Sequence, residues 1–206
     1  ATHIIRDFPE YYPYYSIKEY KYNKISQPNR NLLLRRDPSV DGMKTGYTEA
    51  AGYCLIASAE REFPNLGAVG DGPGKRRLLS VVLNTSSMLA RANESQKLLN
   101  WGFQAFDTVR LFAQGHAIVT VPVWKGKASQ VGLGASGPVF VTVPKGEGAR
   151  LQTSIERTDP LVAPLTAGQN VGKLKIATAS GAMIEQVPLT VLEAVPQAGM
   201  FGRAWD

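Results

Sequence analysis

The sequence predicts an α/β portion followed by an all-β, sandwich-like domain. Three observations carry this reading. Two β-type runs, at 52–61 and 77–83, precede one helix-period segment that reaches about Asp107. After about residue 110 no helix-period segment recurs. Short β-type runs divided by turn signals take its place. The two parts are assigned residues 1–110 and 111–206, with the change of texture near 108–116.

Residues 1–40 are rich in Tyr, Pro and Asn, and Tyr11, Tyr12, Tyr14 and Tyr15 flank Pro13. This predicts loop and short-helix packing. Gln27-Pro28-Asn29-Arg30-Asn31 carries turn chemistry. From 52 to 61, Tyr53, Leu55, Ala57 and Ala59 alternate with Cys54, Ile56 and Ser58. Both sets are largely uncharged, which predicts an interior strand covered on two sides. The Pro- and Gly-rich stretch from Phe63 to Gly74 reads as a loop, and Arg77–Leu83 as a second strand pairing antiparallel with the first. Thr85 or Ser86 then caps a helix. Its apolar positions Met88, Ala92, Leu98, Leu99, Gly102, Phe103 and Phe106 recur at three and four, so it should lie across a sheet. In the second half the β-type runs are 117–123, 139–143, 171–176 and 189–192.

Apolar residues make up 44% of the chain and charged ones 19%, enough for packed cores and against wholesale disorder. Net charge is +6, but the charges are scattered. The one dense basic cluster, Lys75-Arg76-Arg77, reads as a solvated loop edge, and no nucleic-acid partner is expected. Cys54 is the single cysteine, which excludes an internal disulfide and a cysteine zinc site; it is expected as a buried, inert thiol. His3 and His116 have no metal-type spacing. Neither a metal nor a cofactor is expected. No segment approaches the ~20 apolar residues of a membrane helix.

Chemistry concentrates at Lys44-Thr45-Gly46. An ammonium beside a hydroxyl on a strand makes an anion site, and Gly lets a ligand backbone come close. An adjoining strand edge can hydrogen-bond an extended peptide as an added strand. Carboxylate capture together with strand addition suits the binding of a peptide's end.

The same triplet, followed by a strand pair and a helix, occurs in penicillin-recognising serine enzymes. The match extends to Asn29-Arg30-Asn31, Val40-Asp41-Gly42-Met43, Ala51-Gly52-Tyr53, Glu94-Ser95, Trp101-Gly102-Phe103, Ile184-Glu185-Gln186 and Phe201-Gly202-Arg203. Over nearly its whole length the chain resembles the low-molecular-mass penicillin-binding proteins of Gram-negative bacteria, the D-alanyl-D-alanine carboxypeptidases. The resemblance implies a β-lactamase/transpeptidase-like catalytic portion, incomplete at its start, ahead of the β-rich domain.

It also implies roles. Lys44 resembles the lysine that supports the active-site proton network and attracts the substrate carboxylate. Thr45 resembles the hydroxyl that hydrogen-bonds that carboxylate, and Gly46 gives clearance. The N–H of Tyr47 resembles one oxyanion-hole donor. Arg91 matches the arginine that grips the terminal carboxylate, as a guanidinium near a helix start is suited to do. Arg30 resembles a cleft arginine in a supporting role. Tyr47 departs from the smaller or imidazole-bearing residue of several relatives, so its ring should narrow the cleft or stack on substrate.

The family's Ser-x-x-Lys and Ser-x-Asn patterns do not occur in these 206 residues. They are expected upstream of residue 1, and an amphipathic anchoring helix beyond FGRAWD. The resemblance implies a periplasmic enzyme, peripheral to the inner membrane. It would trim the last D-Ala from peptidoglycan pentapeptides through an acyl-enzyme and be trapped by β-lactams. Its partners would be the pentapeptide, β-lactam antibiotics, the upstream segment and the membrane. Alone, the chain should not acylate. A class A-type β-lactamase shares the triplet but normally ends soon after the helix. A non-catalytic binding or spacer module is the reading preferred for the second half.

Overall fold

Two units, each with its own apolar core, divide the chain between Phe106 and Asp107. The computed structural model describes residues 1–63 and 74–199, so the loop expected inside 63–74 and the closing 201–206 lie outside the described residues.

The first unit opens with α1 (Thr2–Asp7) and a 3-10 turn (Tyr12–Ser16) with Pro13 in its first turn, as the short-helix reading expects. The tyrosines part here, with Tyr12 buried and Tyr11 and Tyr14 exposed. A hairpin follows that the sequence did not announce: β1 (Glu19–Tyr22) and β2 (Ile25–Pro28) pair antiparallel. Asn23 and Lys24 both have positive φ, 45° and 65°, which matches a two-residue turn of the primed type. Gln27 and Pro28, expected as turn, end β2; the turn begins only at Asn29.

Asn29–Asn31 then locks the chain. Asn29 Oδ1 accepts from the Asn31 N–H (2.9 Å), and Asn31 Oδ1 from the Leu33 N–H (3.1 Å) at the start of α2 (Leu33–Arg36). The buried Asn31 amide also donates to the Gly42 carbonyl at 2.9 Å. Gly42 lies so close to Tyr12 that a Cβ there would sit 2.6 Å from the phenol oxygen.

β3 (Val40–Thr48), β4 (Gly52–Phe63) and β5 (Gly74–Thr85) form an antiparallel sheet in that order. β4 is central, as its two largely uncharged faces predict. Leu55, Ala57 and Ala59 are buried with Leu33, Leu34, Val40, Ala92 and Leu99, which brings α3 (Met88–Ala105) onto one face of the sheet. Burying Leu55 and Leu99 contributes about 1.5–3 kcal/mol each. Ser58, the intervening residue, is buried on the other face, where Arg77 donates to Ser58 Oγ (2.6 Å), Asp41 (2.7 Å) and Glu60 (3.1 Å). Tyr12 joins this cluster through Asp41 (2.8 Å), and burial pushes its phenol up to about 12.

Several local expectations are corrected. The helix cap is Ser87, whose Oγ accepts from the Ala90 N–H at 3.0 Å; Thr85 instead donates to the Tyr53 carbonyl. The helix ends at Ala105, and Phe106 already begins the next strand. Met88 and Leu98 are exposed, and Arg91 and Ser95 occupy the buried stripe beside Ala92 and Leu99. The Lys75-Arg76-Arg77 cluster is not a solvated loop edge. It lies in β5, and buried Arg76 donates to the carbonyls of Phe106 (2.6 Å), Phe103 (2.9 Å) and Gly102 (3.4 Å). Carbonyls left over at a helix C-terminus are what a cation is suited to satisfy. Cys54 is half-buried rather than buried, its thiol 3.3 Å from the Ala51 carbonyl.

Asp37 ties α2 to the sheet and to α3. It accepts from the Ser39 N–H (2.9 Å), Arg61 (2.8 Å) and Gln96 (2.8 Å). Burial alone would raise its carboxyl, but the hydrogen bonds from Ser39, Gln96 and Arg61 outweigh that and hold it at about 2. A depressed carboxylate stabilises the fold above its unfolded pKa, near 4, and loses that contribution as pH falls through about 2. Asp37→Asn is therefore expected to cost about 2 kcal/mol at pH 7, with the deficit shrinking between pH 4 and pH 2. Urea titrations across that range check it; a deficit independent of pH would refute it.

β6 (Phe106–Phe112), which lies in the second unit from Asp107 on, pairs with β9 (Val139–Pro144). A six-stranded sheet runs in the order β10 (Gln152–Arg157), β12 (Asn170–Ala177), β13 (Met183–Val191), β8 (Gln130–Gly134), β7 (Val119–Trp124), β11 (Leu161–Val162). Val139, Val141 and Val143 alternate inward and pack with Val109, Leu174 and Ile176, which gives the expected sandwich-like arrangement. A second cluster joins Val121, Val123, Val131, Leu133, Leu189 and Val191.

Candidate substrate-binding site

β3 is an edge strand: among the described residues, no strand pairs with its outer side. The β3–β4 register sets Lys44 opposite Ile56, Thr45 opposite Leu55, Gly46 opposite Cys54 and Tyr47 opposite Tyr53. Over this stretch burial gives way to exposure, with Met43 buried, Thr45 half-buried and Lys44, Gly46 and Tyr47 exposed. A depression of about 480 Å³ opens beside it.

All six residues singled out from the sequence line that depression: Arg30, Lys44, Thr45, Gly46, Tyr47 and Arg91. Tyr53 and Met88 complete the lining, and the sequence reading gave neither a site role. Tyr53 was legible in principle, since a short hairpin turn sets it across from Tyr47; the two rings lie 4.4 Å apart, centroid to centroid. Met88 had no such signal. As the first residue of α3, it faces the depression instead of the core.

Three cations, Arg30, Lys44 and Arg91, share the lining, and no carboxylate does. Lys44 is exposed and its ammonium donates to the Thr45 carbonyl. Gly46 has open space above it: a Cβ would meet only the Cys54 Cβ, at 3.8 Å. That is the clearance a backbone-to-backbone approach needs. The half-buried Thr45 hydroxyl lies between the ammonium and that clearance in sequence. The arrangement can attract an anion and can hold an extended chain along the β3 edge.

Arg91 differs from the expected free fork. It is 3% exposed, and Nη1 donates to the carbonyls of Gly46 (3.0 Å) and Cys54 (3.4 Å) while Nη2 donates to that of Arg30 (3.2 Å). Its Cζ lies 5.6 Å from the Tyr53 ring centroid. Burial pushes its guanidinium down from the ordinary value; Arg30's like charge adds to this, and Tyr53 and Cys54 oppose it. Both terminal nitrogens already serve backbone carbonyls, so a carboxylate would meet the charge but not an unoccupied Nη1/Nη2 fork. Arg91 first of all fixes the three backbone segments that wall the depression.

Residues 1–87 match the family model described as D-alanyl-D-alanine carboxypeptidase, and residues 106–197 match that of the penicillin-binding protein 5 C-terminal domain. D-alanyl-D-alanine carboxypeptidase DacC of Escherichia coli is 45% identical over 205 residues, which is 98% of this chain and 48% of that protein. DacA of Haemophilus influenzae is 41% identical over 208 residues, 100% of this chain and 50% of that one. The crystal structure of penicillin binding protein 5 from H. influenzae superposes with a TM-score of 0.79 at 40% identity, covering 95% of this chain and 54% of that chain. The chain thus spans about half the length of the curated relatives it matches.

Proposed function

Because this chain belongs to the D-alanyl-D-alanine carboxypeptidase family and spans about half the length of its curated members, we propose that it forms the carboxylate-binding side of such an enzyme. The substrate is a peptidoglycan pentapeptide ending in D-Ala-D-Ala. A serine on a segment ahead of residue 1 attacks the penultimate D-Ala carbonyl, the terminal D-Ala leaves, and water cleaves the resulting ester. A β-lactam acylates the same serine and is released slowly. Lys44 and Thr45 hold the free carboxylate, Gly46 admits the peptide backbone, and the Tyr47 N–H faces the developing oxyanion. Arg91 positions these groups, and Arg30 adds charge at the rim. The β-rich unit acts as a spacer in a periplasmic protein held at the inner membrane by a following amphipathic helix.

The observation that carries this reading is an electropositive depression beside a strand edge that is unpaired among the described residues. Binding to the chain tests it without any need for turnover. Diacetyl-Lys-D-Ala-D-Ala as the free acid should bind at least about tenfold more tightly than its C-terminal amide, since one charge-assisted contact is worth roughly that much. Equal affinities by calorimetry would remove carboxylate capture from the account.

A further inference from the structure

A second groove, of about 410 Å³, lies in the same unit between the 3-10 turn and the β1–β2 hairpin. Tyr14, Ile17, Tyr20, Gln27, Pro28 and Asn29 line it. Tyr14 is 69% exposed and Tyr20 64%. Neither these two tyrosines nor Gln27 has a side-chain hydrogen-bond partner among the described residues, whereas Asn29 donates to the Ile17 carbonyl at 2.9 Å. The linings of the groove and of the candidate site meet at consecutive residues of one run of backbone. Asn29 lines the groove and the next residue, Arg30, lines the depression. Asn31 fastens that run to β3 through the Gly42 carbonyl, and Arg91 fastens it through the Arg30 carbonyl.

We infer that this groove is a saccharide subsite, taking the N-acetylated amino-sugar end of the substrate whose peptide carboxylate sits at Lys44 and Thr45. The inference rests on the carboxypeptidase reading above. Its chemistry is that of the lining. Tyrosine rings offer flat apolar faces with a polar tip, and an amide offers a donor and an acceptor. No lining residue is charged. A stem peptide with ionised side chains would gain nothing from such walls. A neutral hexosamine ring, with C–H faces, hydroxyls and an acetamide, matches them.

The test compares three ligands on the full 206-residue chain by calorimetry: a pentapeptide ending in D-Ala-D-Ala, the same peptide carrying its N-acetylglucosaminyl–N-acetylmuramyl disaccharide, and the disaccharide alone. The disaccharide-bearing peptide should bind about tenfold more tightly than the bare one, a typical gain for one aromatic platform. Tyr14→Ala with Tyr20→Ala should bring that ratio to about one, and Tyr20→Phe should keep most of it. A ratio of one in the unaltered chain, or a tenfold ratio that survives the double substitution, overturns the inference. So does a double variant that weakens both peptides alike, because the groove would then be a peptide subsite. If the bare peptide fails to bind while the disaccharide alone titrates in a tyrosine-dependent way, the carboxylate reading fails and the saccharide subsite stands.

Discussion

Lys44→Ala is expected to slow penicillin acylation of the full-length polypeptide by on the order of a hundredfold or more, the usual cost of removing one preorganised electrostatic contact at a reacting centre. The loss should fall on chemistry and ligand capture alone. Lys44 is exposed on an edge strand, and among the described residues its ammonium bonds only to the Thr45 carbonyl beside it. Exposed substitutions of this kind usually move stability by no more than about 0.5 kcal/mol. Fluorescent-penicillin labelling measures the first effect and urea unfolding the second. Normal labelling would leave the triplet without its assigned role, whatever the family relationship. Lys44→Arg is a useful companion: it keeps the charge but spreads it over a wider planar group, so it should restore attraction to an anion better than acylation.

Arg91→Ala should act in the opposite manner, through structure before chemistry. Its guanidinium serves the carbonyls of Gly46, Cys54 and Arg30 from a buried position. Removing it strands those acceptors and leaves a cavity, at an expected cost of roughly 3–4 kcal/mol. Denaturant unfolding of the 206-residue chain measures this without reference to activity. Arg91→Lys should recover only a minor part, because one ammonium cannot span three acceptors that a planar fork reaches from two nitrogens. A cost below about 1 kcal/mol would mean that the three segments hold their places without Arg91, and would return it to the role of a simple carboxylate receptor.

Much of the site was legible because its signals are local. Lys44, Thr45 and Gly46 are consecutive, and β4 declares itself as an interior strand by its uncharged run from Gly52 to Ala59. The helix across the sheet follows from its period, although its cap does not: three hydroxyls in a row, Thr85, Ser86 and Ser87, are equally good candidates, and only the fold selects the last. What the sequence concealed has common physical causes. The β1–β2 hairpin is exposed at every strand position, so no burial alternation marks it, and its Asn-Lys turn lacks glycine. β10 is hidden in the same way, its residues exposed save half-buried Arg157. Arg76 and Arg91 look like surface charges in a string of letters. They are buried because backbone carbonyls, which every sequence possesses invisibly, happen to converge on them.

Arg76 also bears on how the first unit comes apart. One guanidinium joins the early part of β5 to the last carbonyls of α3 and to Phe106. The tail of the helix cannot fray while that strand end holds, nor the strand end while the helix tail does. Opening there is a single cooperative event, and amide protons at both ends should exchange with solvent at matched rates.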